Sequence, residues 1–355
     1  MKVLLLTRYT RMGASSRLRS YQYLPFLQEM GMEVTVSPLF SDAYLKAFYG
    51  AGTKSPSHLL KAYWNRLKRL LRIQEFDLLW VEYELFPWLP ATFEQMIKLR
   101  NIPYVVDYDD AIFHRYDHAP SALIRLFLGK KIDRVMSGAA LVTAGNSYLA
   151  NRAKAAGAGE VVLLPTVVDT SRYRCKSTAD DAFFTVGWIG SPTTARYLEM
   201  LRSPLQKLAK VLPLRLLSIG GTIGTIPGVQ MESLTWSEAD EVENIQRFDV
   251  GVMPLHDDLW ERGKCGYKLI QYMACGLPVV ASPVGVNSEI VEHGVNGFHA
   301  NTDQAWTAAL TQLSNDSRLR MEMGQNGRES VEQAYSLAVT APRLANALTH
   351  AARTR

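Results

Sequence analysis

Lys264 and Lys268 stand four residues apart in the stretch KCGYKLIQYMACGLPVVASPVG, with Gln271 three positions further on. A helix over 264–275 would put these three on one polar stripe, while Leu269, Ile270 and Met273 face a core. Gly276 would end that helix and Pro278 would prevent its continuation. Lysines oppose the positive end of the helix dipole, so their place in a first turn calls for a reason. An anion such as a diphosphate, held at the helix N-terminus, supplies one. The plain alternative is a pair of solvated surface lysines. The following strand ends in a second small-residue loop, SPVGVNSE, where the amides of Gly285, Val286 and Asn287 head another helix. Glu289 in that first turn complements the helix dipole or accepts a hydrogen bond from a ligand.

Two further clusters carry polar chemistry. RMGASSR at 11–17 lies between the first strand and the first helix. Gly13 there allows close backbone approach to a phosphate, Ser15 or Ser16 can cap the helix, and Arg17 can reach a diphosphate or an acceptor. The spacing is not GxGxxG, which argues against a dinucleotide site. DYDDAIFHRYD at 107–117 is dense in carboxylates at a strand end. Asp109, Asp110 and His114 are its candidates for acceptor-side or acid–base work, and a turn with a helix cap is the plain alternative.

These groups need a scaffold, and the pattern around them is regular. Apolar runs at 3–6, 76–83 and 103–110, the alternating MEVTVSPL, and ALVTAG and VVLLPTVVD read as strands separated by helical segments. Alternation of strand and helix predicts a doubly wound parallel sheet. The polar, aperiodic stretch 170–182 reads as a linker, after which FFTVGWIG, LRLLSIGG, VQMESL, DVGVMPL and LPVVASPVG repeat the pattern. The expectation is two Rossmann-like halves facing a cleft, with ligands beyond the carboxyl ends of the strands.

With 355 residues, 47% of them hydrophobic, the chain can bury a core in each half. A net charge of +5 favours anionic partners. The three cysteines form neither CxxC nor a zinc spacing, and no apolar run is long enough for a signal peptide or a span, so the expected location is the cytoplasm. KAYWNRLKRLLR at 61–72 has five basic residues, no acid and apolar residues at helical spacing, and SALIRLFLGKKIDR at 121–134 is a weaker version. Each fits either an interfacial helix on an anionic membrane or an ordinary amphipathic helix over a core. Basic residues without interleaved stacking aromatics argue against nucleic acid.

The block VMPL followed by GYKLIQYMACGLPVVASPVGVNSEIVEHGVNGF resembles the C-terminal half of family 4 glycosyltransferases; GASSRLRSYQYLPFLQEMG and TVGWIGSPTTARYLEML are similar to other parts of that family. The resemblance implies a GT-B fold: an acceptor domain over 1–169, the linker 170–182, a nucleotide-sugar donor domain over 183–335, and a C-terminal helix over 336–355 that packs back on the first domain. It implies transfer of a sugar from a nucleotide-diphosphate sugar to an acceptor hydroxyl with retention, in glycan or glycolipid synthesis, with no cofactor and no essential metal. Gly190 and Ser191 would line the donor, and Glu289 matches a glutamate of the family's donor loop. The sequence departs from the pattern where the family has two glutamates eight positions apart: Gly263 and Gln271 stand there instead. Gln271 can still bond the donor's ribose, though as a weaker acceptor. Lys264, Lys268, Arg17 and Asp110 are the expected catalytic set. A nucleotide-sugar epimerase on the same fold, and a non-catalytic nucleotide- or membrane-binding subunit, are the competing readings.

Overall fold

The computed structural model describes residues 1–45, 56–176 and 182–353. The chain divides into two compact units: Met1–Thr166 with Gly263–Cys265 and Thr340–Arg355, and Val167–Arg262 with Gly266–Val339. The division falls before the expected linker. Its described part, 170–176, belongs to the second unit, because Tyr173 is buried in that unit's core and Lys176 pairs with Asp249 at 2.6 Å. Residues 177–181 lie outside the described ones.

The first unit holds a six-stranded sheet of β1 (Lys2–Leu6), β2 (Glu33–Val36), β3 (Leu78–Glu82), β4 (Tyr104–Tyr108), β5 (Leu141–Ala144) and β6 (Val161–Leu163), in the order β2-β1-β3-β4-β5-β6. Every pairing is parallel. Central strands such as VLLL and LLWVE are buried along their whole length, as expected of a sheet covered on both faces. The strand order reverses between β1 and β3. From Thr340 onward the last helix, Leu337–Arg353, is part of this unit: Tyr23 and Thr340 share a hydrogen bond of 3.2 Å, and Arg343 donates to the Leu163 carbonyl at 2.9 Å.

The second unit repeats the architecture with β7 (Phe184–Ile189), β8 (Leu214–Ile219), β9 (Val229–Leu234), β10 (Val250–Met253), β11 (Val279–Ala281) and β12 (Gly297–His299), ordered β12-β11-β10-β7-β8-β9 and all parallel. Its side chains alternate between two cores. Ile189, Leu217 and Met253 point to one; Trp188, Leu216 and Val252 point to the other. Gly187 and Gly251 are register partners on β7 and β10, and a side chain at either would run into the ring of Phe248 or Tyr272. The two glycines are the room in which those aromatics pack. Near Pro204 the helical segment changes character, from a 3-10 stretch at Ala195–Leu201 to an α-helix at Arg202–Leu208. No helix among the described residues is long and apolar enough to cross a membrane.

Candidate functional site

In the second unit, polar small residues collect beyond β7, β10 and β11. Gly190 follows β7 and donates its amide to Ile219 O at 2.9 Å. A side chain there would meet the Trp188 ring and the Lys268 Cε, so glycine lets the lysine stem pass close to the backbone. Lys268 Nζ lies 5.5 Å from the centre of the Trp188 ring, a cation–π contact that holds the ammonium beside this turn. The Ser191 hydroxyl is within 2.9 Å of the Thr193 hydroxyl and 3.2 Å of that of Thr194.

The lysine helix is shorter than the sequence suggests. It runs Tyr267–Ala274 and starts after Gly266, whose φ of +64° breaks the path from residue 264. Lys264 is therefore not on the helix and belongs with Gly263 and Cys265 to the first unit, while Lys268 belongs to the second. The expected shared stripe fails at Gln271 as well. That side chain is 2% exposed and donates through Nε2 to the Tyr173 hydroxyl at 3.1 Å. Tyr173 in turn donates to Glu241 at 2.8 Å, and Trp236 Nε1 donates to the other Glu241 oxygen at 2.7 Å. Sequence reasoning missed Tyr173 and Glu241 because one lies in the presumed linker and the other in a polar loop-and-helix segment.

The loop after β11 also departs from expectation. The amide of Asn287 turns back to Val284 O at 3.2 Å, and those of Ser288 and Glu289 close on Gly285 O and Val286 O. Among the described residues the amides of Gly285 and Val286 have no backbone partner. Gly285 has φ of +55° and Val286 −65°; this left-then-right sequence points successive N–H groups to one side, an anion-binding nest. Asn287 is 1% exposed, and its Oδ1 lacks a hydrogen-bond partner. Glu289 is exposed, on the first turn of Asn287–Ile290. Glu261, two residues before Gly263, is buried and accepts from the Tyr197 hydroxyl, with the exposed Arg196 at 3.9 Å.

The first unit gathers charge where its strand order reverses. Glu82, at the end of β3, is 3% exposed; its Oε2 accepts from Ser16 Oγ at 2.6 Å and Arg8 N at 2.8 Å, while Oε1 has no partner. Burial pushes this carboxyl up to about 7, with the Ser16 and Arg8 hydrogen bonds working against the rise. Neither Ser15 nor Ser16 caps the helix Ala14–Arg19. Tyr83 follows in the left-handed region, φ +62°, which is strained for a bulky residue. It is held there by Tyr83 N to Asp107 O at 3.0 Å and by Tyr108 OH on its carbonyl at 2.8 Å, and its own hydroxyl donates to Asp109.

Burial raises the Asp109 carboxyl, and raises that of Asp110 to about 6, where Lys264 opposes the shift. Asn146 fixes Lys264 in place by donating to the carbonyls of Gly263 and Lys264, both at 2.9 Å, and the Cys265 thiol donates to Asp109 O at 3.2 Å. A side chain at Gly263 would collide with Ala111, which accounts for glycine there. Asp107 is spoken for: Arg19 grips it through two bonds of 2.9 and 2.6 Å, and Thr143 adds a third at 2.5 Å.

Three expected residues take structural places. Arg17 is 8% exposed, with its guanidinium 3.4 Å from Arg11 O. Gly13 packs its Cα against the Tyr9 side chain. His114 is enclosed, with Nδ1 2.9 Å from Asp117 and Nε2 2.8 Å from the Tyr148 hydroxyl. Asp117 also pairs with Arg152 at 3.1 Å, so the group His114, Asp117 and His118, whose donor atoms lie within 4.8 Å, already carries a cation.

Comparison with known proteins bears on the second unit most directly. Residues 184–316 match the family described as Glycosyl transferases group 1. N-acetyl-alpha-D-glucosaminyl L-malate synthase of Bacillus anthracis is 33% identical over 79 residues, which span 22% of this chain and 21% of that one. Among solved structures, HepE of Anabaena in complex with UDP superposes with a TM-score of 0.69 over 99% of this chain and all of that one, at 17% identity. Sucrose-phosphate synthase of Thermosynechococcus elongatus gives 0.69 at 14% identity, over 99% of this chain and 98% of that one. The chain thus has the two-sheet GT-B fold, and its residues 184–316 match the glycosyl transferases group 1 family.

Proposed function

We propose that this chain is a glycosyltransferase that moves a sugar from a nucleoside-diphosphate sugar to an acceptor hydroxyl with retention of configuration. The carrying observation is that the matched stretch 184–316 contains the Gly190 turn, Lys268 and the Gly285–Val286 nest, a set of donors suited to a diphosphate. In this reading Lys268 and the nest amides stabilise charge that grows on the leaving phosphate, the electrostatic term on which such transfers depend most. Metal is not required, because the ammonium supplies the positive charge. Asp109 and Asp110 handle the acceptor: carboxyls raised by burial hold or release a proton near neutral pH, and Asp110 is tuned by its neighbour Lys264. The acceptor belongs to glycan or glycolipid synthesis.

Thermal unfolding with UDP tests the donor half. A ligand that binds only the folded chain raises the melting temperature with concentration. UDP should do so, and Lys268→Ala should lose the effect while keeping its own melting temperature. No shift at millimolar UDP or any other nucleoside diphosphate would rule out the donor site. Proton NMR of the product from a turnover experiment then reads the anomer.

A further inference from the structure

β3 ends in an uncommon turn. Glu84 N donates to Glu82 O at 2.8 Å across Tyr83, whose φ is +62°. A three-residue turn with a positive φ at its centre is the rare, strained form of the γ-turn. A bulky residue gains nothing there by itself, so its surroundings must hold it. Bonds grip the turn at all three residues. Glu82 accepts from Ser16 and Arg8. The buried Glu84 accepts from Lys131 Nζ at 2.5 Å and from the Tyr116 hydroxyl at 2.8 Å. Asp107 O takes the Tyr83 amide, and the Tyr108 hydroxyl donates to the Tyr83 carbonyl.

The clamped turn delivers one group, the Tyr83 hydroxyl. It donates to Asp109 Oδ1 and lies 3.2 Å from Ser15 Oγ. Tyr83 is buried, whereas Asp109 is only partly so and remains open to a ligand. Charged and titratable groups reach Asp109 from several elements. Arg19 and Ser15 come from helix Ala14–Arg19, Glu82 and Tyr83 from the end of β3, Asp107 and Asp110 from its own strand end, and Cys265 from the segment 263–265. Burial and the Asp107 charge oppose ionisation of Asp109; Arg19 and the hydroxyls of Tyr83 and Ser15 favour it. Arg19 already grips Asp107 through two bonds. Burial also pushes the Tyr83 hydroxyl well above the usual tyrosine range, so it keeps its proton and stays a donor.

We propose that Tyr83 is a positioning residue: the strained turn aims its hydroxyl at Asp109 and keeps that carboxylate fixed and ionised, ready to accept a hydrogen bond from the incoming acceptor hydroxyl. Strain beside a reacting group is one means of preorganisation, because the oriented donor is in place before the ligand arrives. The inference rests on the reading that Asp109 stands on the acceptor side.

Urea unfolding of four full-length proteins decides the pairing: the parent, Tyr83→Phe, Asp109→Asn and the double variant. Phenylalanine keeps the ring and removes only the hydroxyl. At pH 8, Tyr83→Phe should raise the unfolding equilibrium constant about tenfold, the usual effect of losing a hydrogen bond to a charged group. That gap should narrow as pH falls and Asp109 takes up its proton, and Asp109→Asn should abolish the dependence on pH. A tyrosine that only fills space gives the same gap at every pH. A gap independent of pH, or a pH dependence that survives Asp109→Asn, would therefore overturn the proposal. Release of UDP from UDP-glucose, with water as acceptor, then tests the role. Tyr83→Phe should lower kcat about tenfold with KM for UDP-glucose unchanged, and should add no loss to that of Asp109→Asn. If Asp109→Asn is as fast as the parent, the acceptor-side role of Asp109 falls, whatever the urea cycle shows. If Asp109→Asn is slow and Tyr83→Phe is not, that role stands and Tyr83 does not position it.

Discussion

Both sheets are parallel and six-stranded and reverse their strand order beside the first strand of each, yet they place opposite chemistry there. The first unit gathers titratable groups: Arg19 with Asp107, Lys131 with Glu84 at 2.5 Å, and Glu82, Asp109 and Asp110 with raised carboxyls. The second has glycines, hydroxyls, a backbone nest and Lys268. Buried charge is costly unless paired, so much of the first set must serve to satisfy itself. A site made of amides and one lysine holds little charge of its own and can accept an anion. The contrast separates residues that support the fold from residues that await a ligand.

Breaking a pair in the charged unit should cost most. Asp107→Ala leaves the Arg19 guanidinium buried, 2% exposed, without its carboxylate. A loss of about 3 to 5 kcal/mol in urea unfolding is expected. A loss below about 1 kcal/mol would mean that water or relaxation replaces the partner. Lys268→Ala is the converse. Its stability should change little, while turnover falls by about 100- to 1,000-fold, the usual effect of deleting one donor to developing charge. An unfolding defect with unimpaired turnover would dissolve the distinction.

The sequence made the scaffold legible because buried parallel strands announce themselves as apolar runs. VLLL, LLWVE and VQMESL are strands near their expected bounds, and Gly31 follows Leu24–Glu29 at φ +78° as a helix stop should. β12 was not visible, since three residues between glycine and a loop carry no period. Small-residue loops were legible as loops, but not the direction of their amides: Asn287 N is spent on Val284 O, which only backbone angles decide. Lys264 was misassigned because residue spacing does not reveal that Gly266 adopts a positive φ. The roles of Glu82 and Tyr173 depend on partners 66 and 68 residues distant in the chain, Ser16 and Glu241, which no local pattern encodes.

Proton linkage sharpens the contrast further. Glu82 rises from an ordinary 4.5 to about 7 on folding, so the folded state binds the proton more tightly than the unfolded chain. Its contribution to stability is full below about 4.5 and is lost as pH rises through about 7. Asp110 acts with the same sign between 3.8 and about 6. Glu82→Gln cannot titrate, and a glutamine oxygen in place of Oε2 keeps the bonds from Ser16 and Arg8. Above pH 7 the variant should therefore be more stable than the parent by about 2 to 3 kcal/mol, with a flatter stability profile between pH 4.5 and 7. Parallel profiles for the two proteins would show that Glu82 does not hold its proton. The second unit's donor residues should add no such slope.

Gln271 is the smallest test and the one that asks to which set a residue belongs. Its amide donates to Tyr173, which is tied through Glu241 to Trp236, and the side chain is 2% exposed. If it supports the fold, Gln271→Leu should cost about 1 kcal/mol, the usual net worth of one hydrogen bond, and leave the thermal shift by UDP intact. Tyr173 keeps Glu241 as its acceptor, so no polar atom of that pair is stranded. Gln271→Glu should be worse for stability than leucine, because a second carboxylate would compete with Glu241 for one tyrosine hydroxyl. A ribose hydroxyl could satisfy that added carboxylate, so recovery of Gln271→Glu by UDP beyond that of the parent would place the side chain within reach of the donor. Equal shifts in all three proteins would leave it in the core, and recognition of the ribose would then fall to residues of the second unit other than Gln271.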